Sequence, residues 1–169
     1  MSWAECVVEQ LKAYNVRFIS YVPDAIGEQI LQCARQDDFF DILPLAREEE
    51  GVGVVAGQYM GGSRGAVLMP TSGVGNAINA LASLAIPYEI PLPMFIGFRG
   101  ELGEFNAAQV PMGQALRPIF DALCIPYFLL THPEEVRVQV DGALKLTYSL
   151  ERPVALLLST QLAGWKDEK

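Results

Sequence analysis

Three consecutive glutamates, Glu48 to Glu50, form the group in this sequence best suited to proton transfer. They follow an apolar segment, 39–45, that predicts a strand, and they begin a stretch, 48–60, that predicts a helix. In α/β proteins, ligands bind at the carboxyl ends of the strands, where such a junction lies. One of these acids, if partly buried there, is able to exchange a proton with a cofactor. The alternative is that all three only complement the dipole of the helix.

A glycine-containing segment, 70–76, follows the third apolar run of the chain. Gly73 and Gly75 would expose backbone N–H groups just before a helix, which predicts a weak anion-binding loop. The segment contains neither the Gly-Lys-Ser/Thr of a P-loop nor a dinucleotide fingerprint. The alternative is a glycine turn that packs closely against a neighbouring subunit.

Other candidate residues lie in the second half of the chain. Arg99 ends an apolar run, so we expect it to hold an anion or to pair with Glu101 or Glu104. Gln109, in the long loop that follows, either contacts a ligand or hydrogen-bonds to its own backbone. The single histidine, His132, is expected to be a capping or surface residue, and no Ser-His-Asp set can be built without it. No metal site is predicted.

Apolar runs alternate with helical patterns along the whole chain. The predicted strands are 17–22, 39–45, 65–69, 92–98, 125–129 and 153–158. The predicted helices start from a capping box at Ser2 and Glu5, pass through Ile26–Ala34, and then cover 48–60, 72–86, 113–123 and 133–150. Because the strands are apolar throughout, they predict a parallel sheet covered on both faces. We expect one domain, 1–169, an α/β three-layer αβα sandwich with a mobile polar tail from about 161 to 169.

The composition excludes several classes of protein. Of 169 residues, 51% are hydrophobic and 19% are charged, which is typical of a globular protein. A net charge of −8 without a basic cluster argues against nucleic acid or an anionic membrane as a partner. Cys6, Cys33 and Cys124 predict reduced, mostly buried thiols. The chain start has no pattern of a signal peptide, and prolines and a glutamate interrupt the longest apolar stretch, 77–98, so we expect a cytoplasmic protein.

The segment from Glu48 to Gly57 resembles the pyrimidine-binding (PYR) domain of thiamine diphosphate enzymes. In that family a glutamate begins the helix after the second strand, nine residues before a glycine, and Glu48 and Gly57 have that spacing. Two further segments, 65–68 and 72–77, resemble the family as well, the second through its Gly-x-Gly-Asn pattern. The resemblance extends over essentially the whole chain and implies the thiamine diphosphate-binding fold.

Two loops narrow the resemblance to one branch of the family. Val22-Pro23-Asp24 and the segment 97–101 are similar to enzymes that decarboxylate phosphonopyruvate and sulfopyruvate, and the short chain resembles a separate alpha subunit. Ala25 departs from the branch, which often has Ser there. A Gly-Asp-Gly…Asn-Asn motif is missing, because Asp141-Gly142 lies in a predicted helix without the remaining residues. The resemblance therefore implies half an active site, with diphosphate and Mg²⁺ bound by a beta subunit.

The resemblance also implies which residues act. Glu48 would be the catalytic acid, hydrogen-bonded to N1′ of the aminopyrimidine of thiamine diphosphate. The implied cofactor contacts are Glu48, Thr71, Ser72, Gly73, Gly75 and Asn76. The expected substrate contacts are Asp24, Arg99 and Gln109, with Arg99 at the sulfonate and Asp24 organising protons or donors. The implied reaction converts sulfopyruvate, a small anionic 2-keto acid, into sulfoacetaldehyde and carbon dioxide.

Three alternatives remain open from the sequence. Phosphonate and sulfonate have the same shape and nearly the same need for donors, so the substrate could be phosphonopyruvate. A different thiamine reaction, such as carboligation, could use the same half-site. The chain could also be a non-catalytic scaffold, although a scaffold has no use for Glu48. In each case we expect self-association to a homodimer or a larger oligomer, since such domains pair around the cofactor site.

Overall fold

A six-stranded parallel sheet forms the centre of the protein, in a computed structural model that describes residues 1–164. The strands are β1 (Val16–Tyr21), β2 (Asp41–Pro44), β3 (Arg64–Pro70), β4 (Leu92–Gly97), β5 (Tyr127–Leu130) and β6 (Pro153–Leu158). Their order in the sheet is β2-β1-β3-β4-β6-β5, and every neighbouring pair is parallel. The predicted strands and their parallel arrangement are therefore confirmed.

Helices cover both faces of this sheet. They are α1 (Trp3–Ala13), α2 (Glu28–Ala34), α3 (Glu48–Met60), α4 (Thr71–Ala80), α5 (Val110–Ala122), α6 (Val136–Leu150) and α7 (Thr160–Ala163). Two separate apolar clusters lie between the sheet and the helices. One contains the buried residues of α1, α2 and α6, and the other those of α3, α4 and α5. The predicted three-layer αβα sandwich is thereby confirmed.

Local sequence explains where α1 and α3 begin. The Ser2 side chain accepts the N–H of Glu5, and the Glu5 carboxyl accepts the N–H of Ser2, which confirms the capping box. Helix α3 begins at Glu48 and ends at Met60, as predicted, with three acids in its first turn. The positive end of the helix dipole favours acids at this position. These acids thus stand just beyond the carboxyl end of β2.

The segment 70–76, predicted as an anion-binding loop and, from 72, as the start of a helix, ends β3 at Pro70 and is helical from Thr71; the loop is therefore corrected and the helix is confirmed. Helix α4 begins at Thr71, directly after β3, so Gly73 and Gly75 lie in its first two turns. Neither glycine has a positive φ, so neither is needed for a turn of the backbone. The helix was expected to reach Ile86; its α-helical part ends at Ala80 and a π-helical turn, Leu81–Ala85, follows.

Two other helix starts differ from the prediction. Helix α5 begins at Val110 rather than at 113, after a 3₁₀ turn at Ala107–Gln109. Pro111 is compatible with the first turn of α5, because a proline there lacks only an N–H that has no partner in the helix. The predicted helix from 133 starts as a 3₁₀ turn, Pro133–Glu135, and continues as α6.

The edge strands β2 and β5 are less buried than their apolar sequences suggested. Every residue of the inner strands β4 and β6 is buried, whereas most residues of β2 and β5 are partly or fully exposed. The cysteines are also more exposed than expected. All three are free, but Cys6 and Cys33 are only partly buried and Cys124 is exposed.

The predicted mobile tail, 161–169, is corrected where the structure describes it. Residues 161–163 belong to α7, and the capping side chain of Ser159 accepts the N–H of Leu162 at 3.1 Å. Leu162 is buried in the apolar cluster of α1, α2 and α6. Residues 165–169 lie outside the described residues. Within residues 1–164, no helix is long and apolar enough to cross a bilayer.

Candidate active site

The candidate residues meet at the carboxyl edge of the sheet, where four parallel strands end. Asp24 follows β1, Glu48 follows β2, Thr71 follows β3 and Arg99 follows β4. The Thr71 hydroxyl donates to the carbonyl of Gly97 at 2.8 Å and accepts the backbone N–H of Arg99 at 3.0 Å. This pair of bonds joins the ends of β3 and β4. It gives the edge a fixed backbone from which the acidic and basic side chains project.

Glu48 is buried at this edge, with 8% of its surface exposed. Its Oε2 accepts a hydrogen bond from Nδ2 of Asn76 at 2.8 Å. The carboxyl packs directly over Gly73: a Cβ added there would lie 2.3 Å from Cγ and 2.5 Å from Oε1 of Glu48. Only a glycine therefore leaves room for this side chain. Among residues 1–164, no cation pairs with Glu48, so its carboxyl is held by one neutral donor and by packing.

The three adjacent glutamates have different environments. Glu49 lies within 2.6 Å of Nε of Arg47, and its other oxygen is buried without a partner in the described chain. Glu50 is exposed and accepts the backbone N–H of Ala46 at 3.2 Å. Glu48 alone of the three turns inward against α4. The helix start predicted from the sequence therefore contains one candidate catalytic acid and two acids whose observed contacts are with the adjacent residues 46 and 47.

The remaining predicted cofactor contacts lie along α4. Thr71 is fully buried, and the two bonds described above use its hydroxyl as donor and as acceptor. Ser72, Gly75 and Asn76 are exposed on the outer side of the helix start. A Cβ at Gly75 would lie 3.5 Å from the sulfur of Met112, which is ordinary contact. The structure thus brings Gly73 and Asn76 to Glu48, while Thr71 links two strands.

Asp24 also lies against a glycine. Its Oδ2 accepts the backbone N–H groups of Ile26 and Gly27, both at 3.1 Å, and so caps the chain that leads into α2. A Cβ at Gly97 would lie 2.0 Å from that same oxygen. Because Gly97 ends β4, the half-buried Asp24 reaches from the end of β1 toward the end of β4. The sequence singled out Asp24 but gave no reason to connect it with Gly97.

Arg99 forms a paired contact with Glu104. Its Nε donates to Oε2 at 2.7 Å and its Nη2 donates to Oε1 at 2.6 Å, and the side chains are 15% and 3% exposed. The carboxyl also accepts the backbone N–H groups of Gly100 at 3.0 Å and Asn106 at 2.9 Å. Hydrogen bonding to Arg99, helped by both N–H groups, lowers the pKa of Glu104 to about 2. The sequence left open whether Glu101 or Glu104 pairs with Arg99, and the structure selects Glu104.

Gln109 and His132 occupy less central positions. Gln109 ends the 3₁₀ turn before α5, and its Oε1 is buried without a hydrogen-bond partner in the described chain. Its backbone carbonyl packs against Gly100, where an added Cβ would lie 3.0 Å away. His132 is exposed and makes no capping bond. No group of three or more metal-binding side chains occurs within residues 1–164.

Sequence reasoning named Glu104 only as one of two possible partners of Arg99, and it did not assign Gly97 a role in holding Asp24. Gly97 makes room for Asp24, and Glu104 fixes the guanidinium of Arg99. For Gly97, the only signal was a glycine at the end of a strand, next to two neighbouring strand ends. For Glu104, the only signal was a carboxylate within a few residues of Arg99.

The chain is similar to known proteins in sequence and in fold. No family model matches the chain. The chain is 38% identical over 169 residues to the sulfopyruvate decarboxylase subunit alpha of Methanococcus maripaludis, with 100% of both chains covered. It is 30% identical to the sulfopyruvate decarboxylase of Methanosarcina acetivorans over 94% of this chain and 40% of that protein. It is 28% identical to the phosphonopyruvate decarboxylase of Streptomyces hygroscopicus over 88% of this chain and 37% of that protein.

The fold is similar to that of a solved oxidoreductase. The 2-oxoglutarate:ferredoxin oxidoreductase from Magnetococcus marinus, solved with 2-oxoglutarate, coenzyme A and succinyl-CoA bound, superposes with a TM-score of 0.79 at 15% identity. The match covers 96% of this chain and 29% of that one. At this identity the likeness supports the fold alone. The full-length match at 38% identity supports more, and this chain belongs to the family of sulfopyruvate decarboxylase alpha subunits.

Proposed function

We propose that this chain is the alpha subunit of a thiamine diphosphate-dependent decarboxylase that converts sulfopyruvate into sulfoacetaldehyde and carbon dioxide. The observation that carries the proposal is Glu48, a buried carboxyl at the carboxyl edge of the sheet with no cation partner in the described chain. An acid used only for stability is commonly paired with a cation, as Glu104 is. The relative that matches the chain from end to end supports the choice of substrate.

The residues around Glu48 fit one end of the cofactor. When bound, thiamine diphosphate supplies the electron sink for removing carbon dioxide from a 2-keto acid. Glu48 is the group in this chain that would hydrogen-bond to the aminopyrimidine ring, and the Gly73 surface leaves space for its carboxyl. Asn76 fixes one carboxyl oxygen by its 2.8 Å bond and so sets the direction of the other. Glu48 would thus hold or pass a proton at Oε1.

The described residues do not fit the other end of the cofactor. A diphosphate is held through a divalent cation, which needs a cluster of oxygen ligands, and residues 1–164 contain no such cluster. We therefore propose that a beta subunit supplies the diphosphate and Mg²⁺ half of the site. The Methanosarcina relative supports this division, since the chain matches only 40% of its length. We also propose that the assembled enzyme contains more than one copy of the alpha subunit.

The substrate would lie between Asp24 and Arg99. Arg99 is the candidate donor for the sulfonate, because a guanidinium offers several N–H groups to a tetrahedral oxyanion. Asp24, against Gly97, would organise protons or donors near the keto group. Gln109 is a weaker candidate; its buried, unpartnered Oε1 is an acceptor and does not itself attract an anion.

Phosphonopyruvate is the second candidate substrate, favoured by the 28% identity to the Streptomyces decarboxylase. Phosphonate and sulfonate are both tetrahedral oxyanions, and Arg99 satisfies either by the same hydrogen bonds. The greater identity and full coverage of the sulfopyruvate relatives favour the sulfonate.

Purification of the chain with its natural partner tests the proposal. The tagged chain is isolated from its native cells, the co-purifying protein is sequenced, and the complex is assayed with sulfopyruvate, phosphonopyruvate and pyruvate. We expect a partner carrying Gly-Asp-Gly and Asn-Asn motifs, and thiamine diphosphate-dependent turnover that is fastest with sulfopyruvate. Faster turnover of phosphonopyruvate would select the second candidate. A complex that binds no thiamine diphosphate and decarboxylates none of the three would contradict the proposal and favour a scaffold.

A further inference from the structure

A pocket of about 310 Å³ lies between α2, the loop after β4 and α7. Its lining includes Gln29, Arg99, Glu104, Phe105, Thr160 and Ala163. Nε2 of Gln29 donates to the carbonyl of Ala163 at 3.0 Å, so α2 and α7 are joined at one wall. Arg99 is the only cationic side chain among the described lining residues. The volume is at the lower end of what small-molecule sites have.

Glu104 uses only one edge of the Arg99 guanidinium. A guanidinium has five N–H groups, and the carboxylate takes the Nε–H and one N–H of Nη2. The two N–H groups of Nη1 and the second of Nη2 have no partner in residues 1–164. They form a second fork, suited to two oxygens of one oxyanion. Cζ of Arg99 lies 5.3 Å from the centroid of the Phe105 ring, which further limits where the guanidinium can move.

The acids near Arg99 are already satisfied by other donors. Glu104 accepts two N–H groups from Arg99 and one each from Gly100 and Asn106, which spreads its charge over four hydrogen bonds. Asp24 accepts the N–H groups of Ile26 and Gly27. Neither acid therefore needs the free edge of the guanidinium. A third anion can take that edge without breaking an existing hydrogen bond.

We propose that Glu104 is a positioning residue, which holds Arg99 so that its free edge binds the sulfonate of the substrate in this pocket. This inference rests on the proposed function, since it assigns one end of the proposed substrate. It also explains why an anion site includes a carboxylate: without Glu104, a flexible arginine would have to be ordered each time a substrate binds, at a cost in entropy. With Glu104, the fork is fixed in advance.

The test compares Glu104→Gln with Glu101→Gln in the complex with the partner subunit. Glu101 lies in the same loop and pairs with Nη2 of Arg117 at 2.8 Å, but it does not line the pocket, so it is a matched control. We expect Glu104→Gln to raise the KM for sulfopyruvate about tenfold, the size of one lost charge-assisted hydrogen bond, with little change in kcat. Turnover of pyruvate, which has no sulfonate, should change much less. Glu101→Gln should resemble the wild type with both substrates.

The sign of the KM change decides between positioning and competition. If Glu104 competes with the substrate for Arg99, Glu104→Gln will lower the KM for sulfopyruvate, and that result would overturn the inference. An equal loss with sulfopyruvate and pyruvate would overturn it too, since it would indicate a general structural role. If Glu104→Gln does not fold, Arg99→Lys serves instead. Lysine keeps the charge without the two-edged fork, and we expect the same selective rise in KM.

A binding measurement separates this inference from the proposed function. Sulfoacetate has a sulfonate and a carboxylate but no keto group, so its binding to the complex can be followed by calorimetry without turnover. We expect Glu104→Gln to raise its Kd about tenfold, and Glu101→Gln to leave the Kd unchanged. If the complex is inactive but its Kd for sulfoacetate changes in this way, the proposed decarboxylase activity is contradicted and the positioning role of Glu104 is retained. An active complex in which both variants bind sulfoacetate like the wild type would overturn the positioning role alone.

Discussion

Two buried carboxylates of this protein, Glu48 and Glu104, are stabilised in opposite ways. Glu104 accepts four hydrogen bonds, two of them from the cation Arg99, and its pKa falls to about 2. Glu48 accepts one hydrogen bond from the neutral Asn76 and rests on Gly73. The first arrangement keeps a carboxylate ionised at any physiological pH. The second leaves Oε1 of Glu48 without a hydrogen-bond partner in residues 1–164. A residue that exchanges a proton with a ligand needs such an available oxygen.

The comparison separates the two ways in which a loop can fix a side chain. Around Arg99, polar contacts do so, and each of them can be removed by a single substitution. Around Glu48, shape does so, because Gly73 has no side chain and the carboxyl occupies the space that a Cβ would fill. We therefore expect a substitution that adds volume to disturb the Glu48 region most, and a substitution that removes a charge to disturb the Arg99 region most.

Among substitutions of residues that hold Glu48 or Arg99 in place, Gly73→Ala should have the largest effect on activity. The new Cβ would lie 2.3 Å from Cγ of Glu48, so the carboxyl must move by more than an ångström, which can cost about a hundredfold in rate. The measurement is kcat of the complex, with Gly142→Ala as the control. An added Cβ at Gly142, in the exposed part of α6, meets nothing within 4 Å, so activity should not change there. Full activity of Gly73→Ala would show that the position of Glu48 does not matter.

Arg99→Ala should have the largest effect on stability. It would leave the almost fully buried carboxylate of Glu104 with backbone donors only, which we expect to lower the free energy of unfolding by about 3 kcal/mol. Arg117→Ala breaks the partly exposed pair with Glu101 and should cost at most about 1 kcal/mol. Urea denaturation of both variants provides the measurement. Equal losses would remove the contrast between a mostly buried pair and a partly exposed one.

The stability of the protein should depend on pH through Glu104. Its pKa is about 2 in the folded protein and 4.5 as the ordinary value, so the folded state favours the ionised carboxylate. This contribution is complete above about pH 5 and is lost as the pH falls, by about 2 kcal/mol at pH 3 and about 3 kcal/mol at pH 2. The difference in unfolding free energy between the wild type and Glu104→Gln should therefore shrink from pH 7 to pH 3. A difference that stays constant over this range would contradict the assignment.

Asn76→Ala should have the smallest effect of the four. It removes one hydrogen bond to Glu48 at an exposed position, so we expect a loss of about 1 kcal/mol in unfolding free energy. Asn79→Ala, one turn later on α4, removes an exposed contact with Ser83 and should change stability by less than about 0.5 kcal/mol. Thermal unfolding of both variants would test this order, and a reversed order would mean that the Asn76 bond does not stabilise the fold.

The sequence predicted the layers and the sheet because those depend on repeated local patterns. Buried strands such as 92–97 and 153–158 are apolar at nearly every position, and helix α3 has acids at its start and a glycine after its end. The predicted helix 72–86 included Gly73 and Gly75, but their interpretation as an anion-binding loop did not explain why glycine stands there. Gly73 is required because the side chain of Glu48, which lies 25 residues earlier and in another helix, occupies the space that a Cβ would fill.

The candidate site could be only partly predicted. The run 48–50 was found, but a run of three acids does not tell which one turns inward; that depends on the packing of α3 against α4. The Arg99–Glu104 pair lies in an irregular loop without periodicity, so spacing alone could not choose between two nearby glutamates. Contacts across the sheet edge, such as Asp24 on Gly97, follow from strand order and are not visible in any local pattern.

The most direct test of the central claim is the activity of Glu48→Gln in the complex with its partner subunit, measured beside Glu49→Gln. Glutamine keeps the size of the side chain and can still accept from Asn76, so the fold should be unchanged by circular dichroism and thermal unfolding. We predict that Glu48→Gln loses at least about a hundredfold in decarboxylation, the usual size of a general acid–base contribution, while Glu49→Gln stays near the wild type. Near wild-type turnover by Glu48→Gln would contradict the account, because a buried carboxyl without a cation partner in residues 1–164 would then have no assigned role in catalysis.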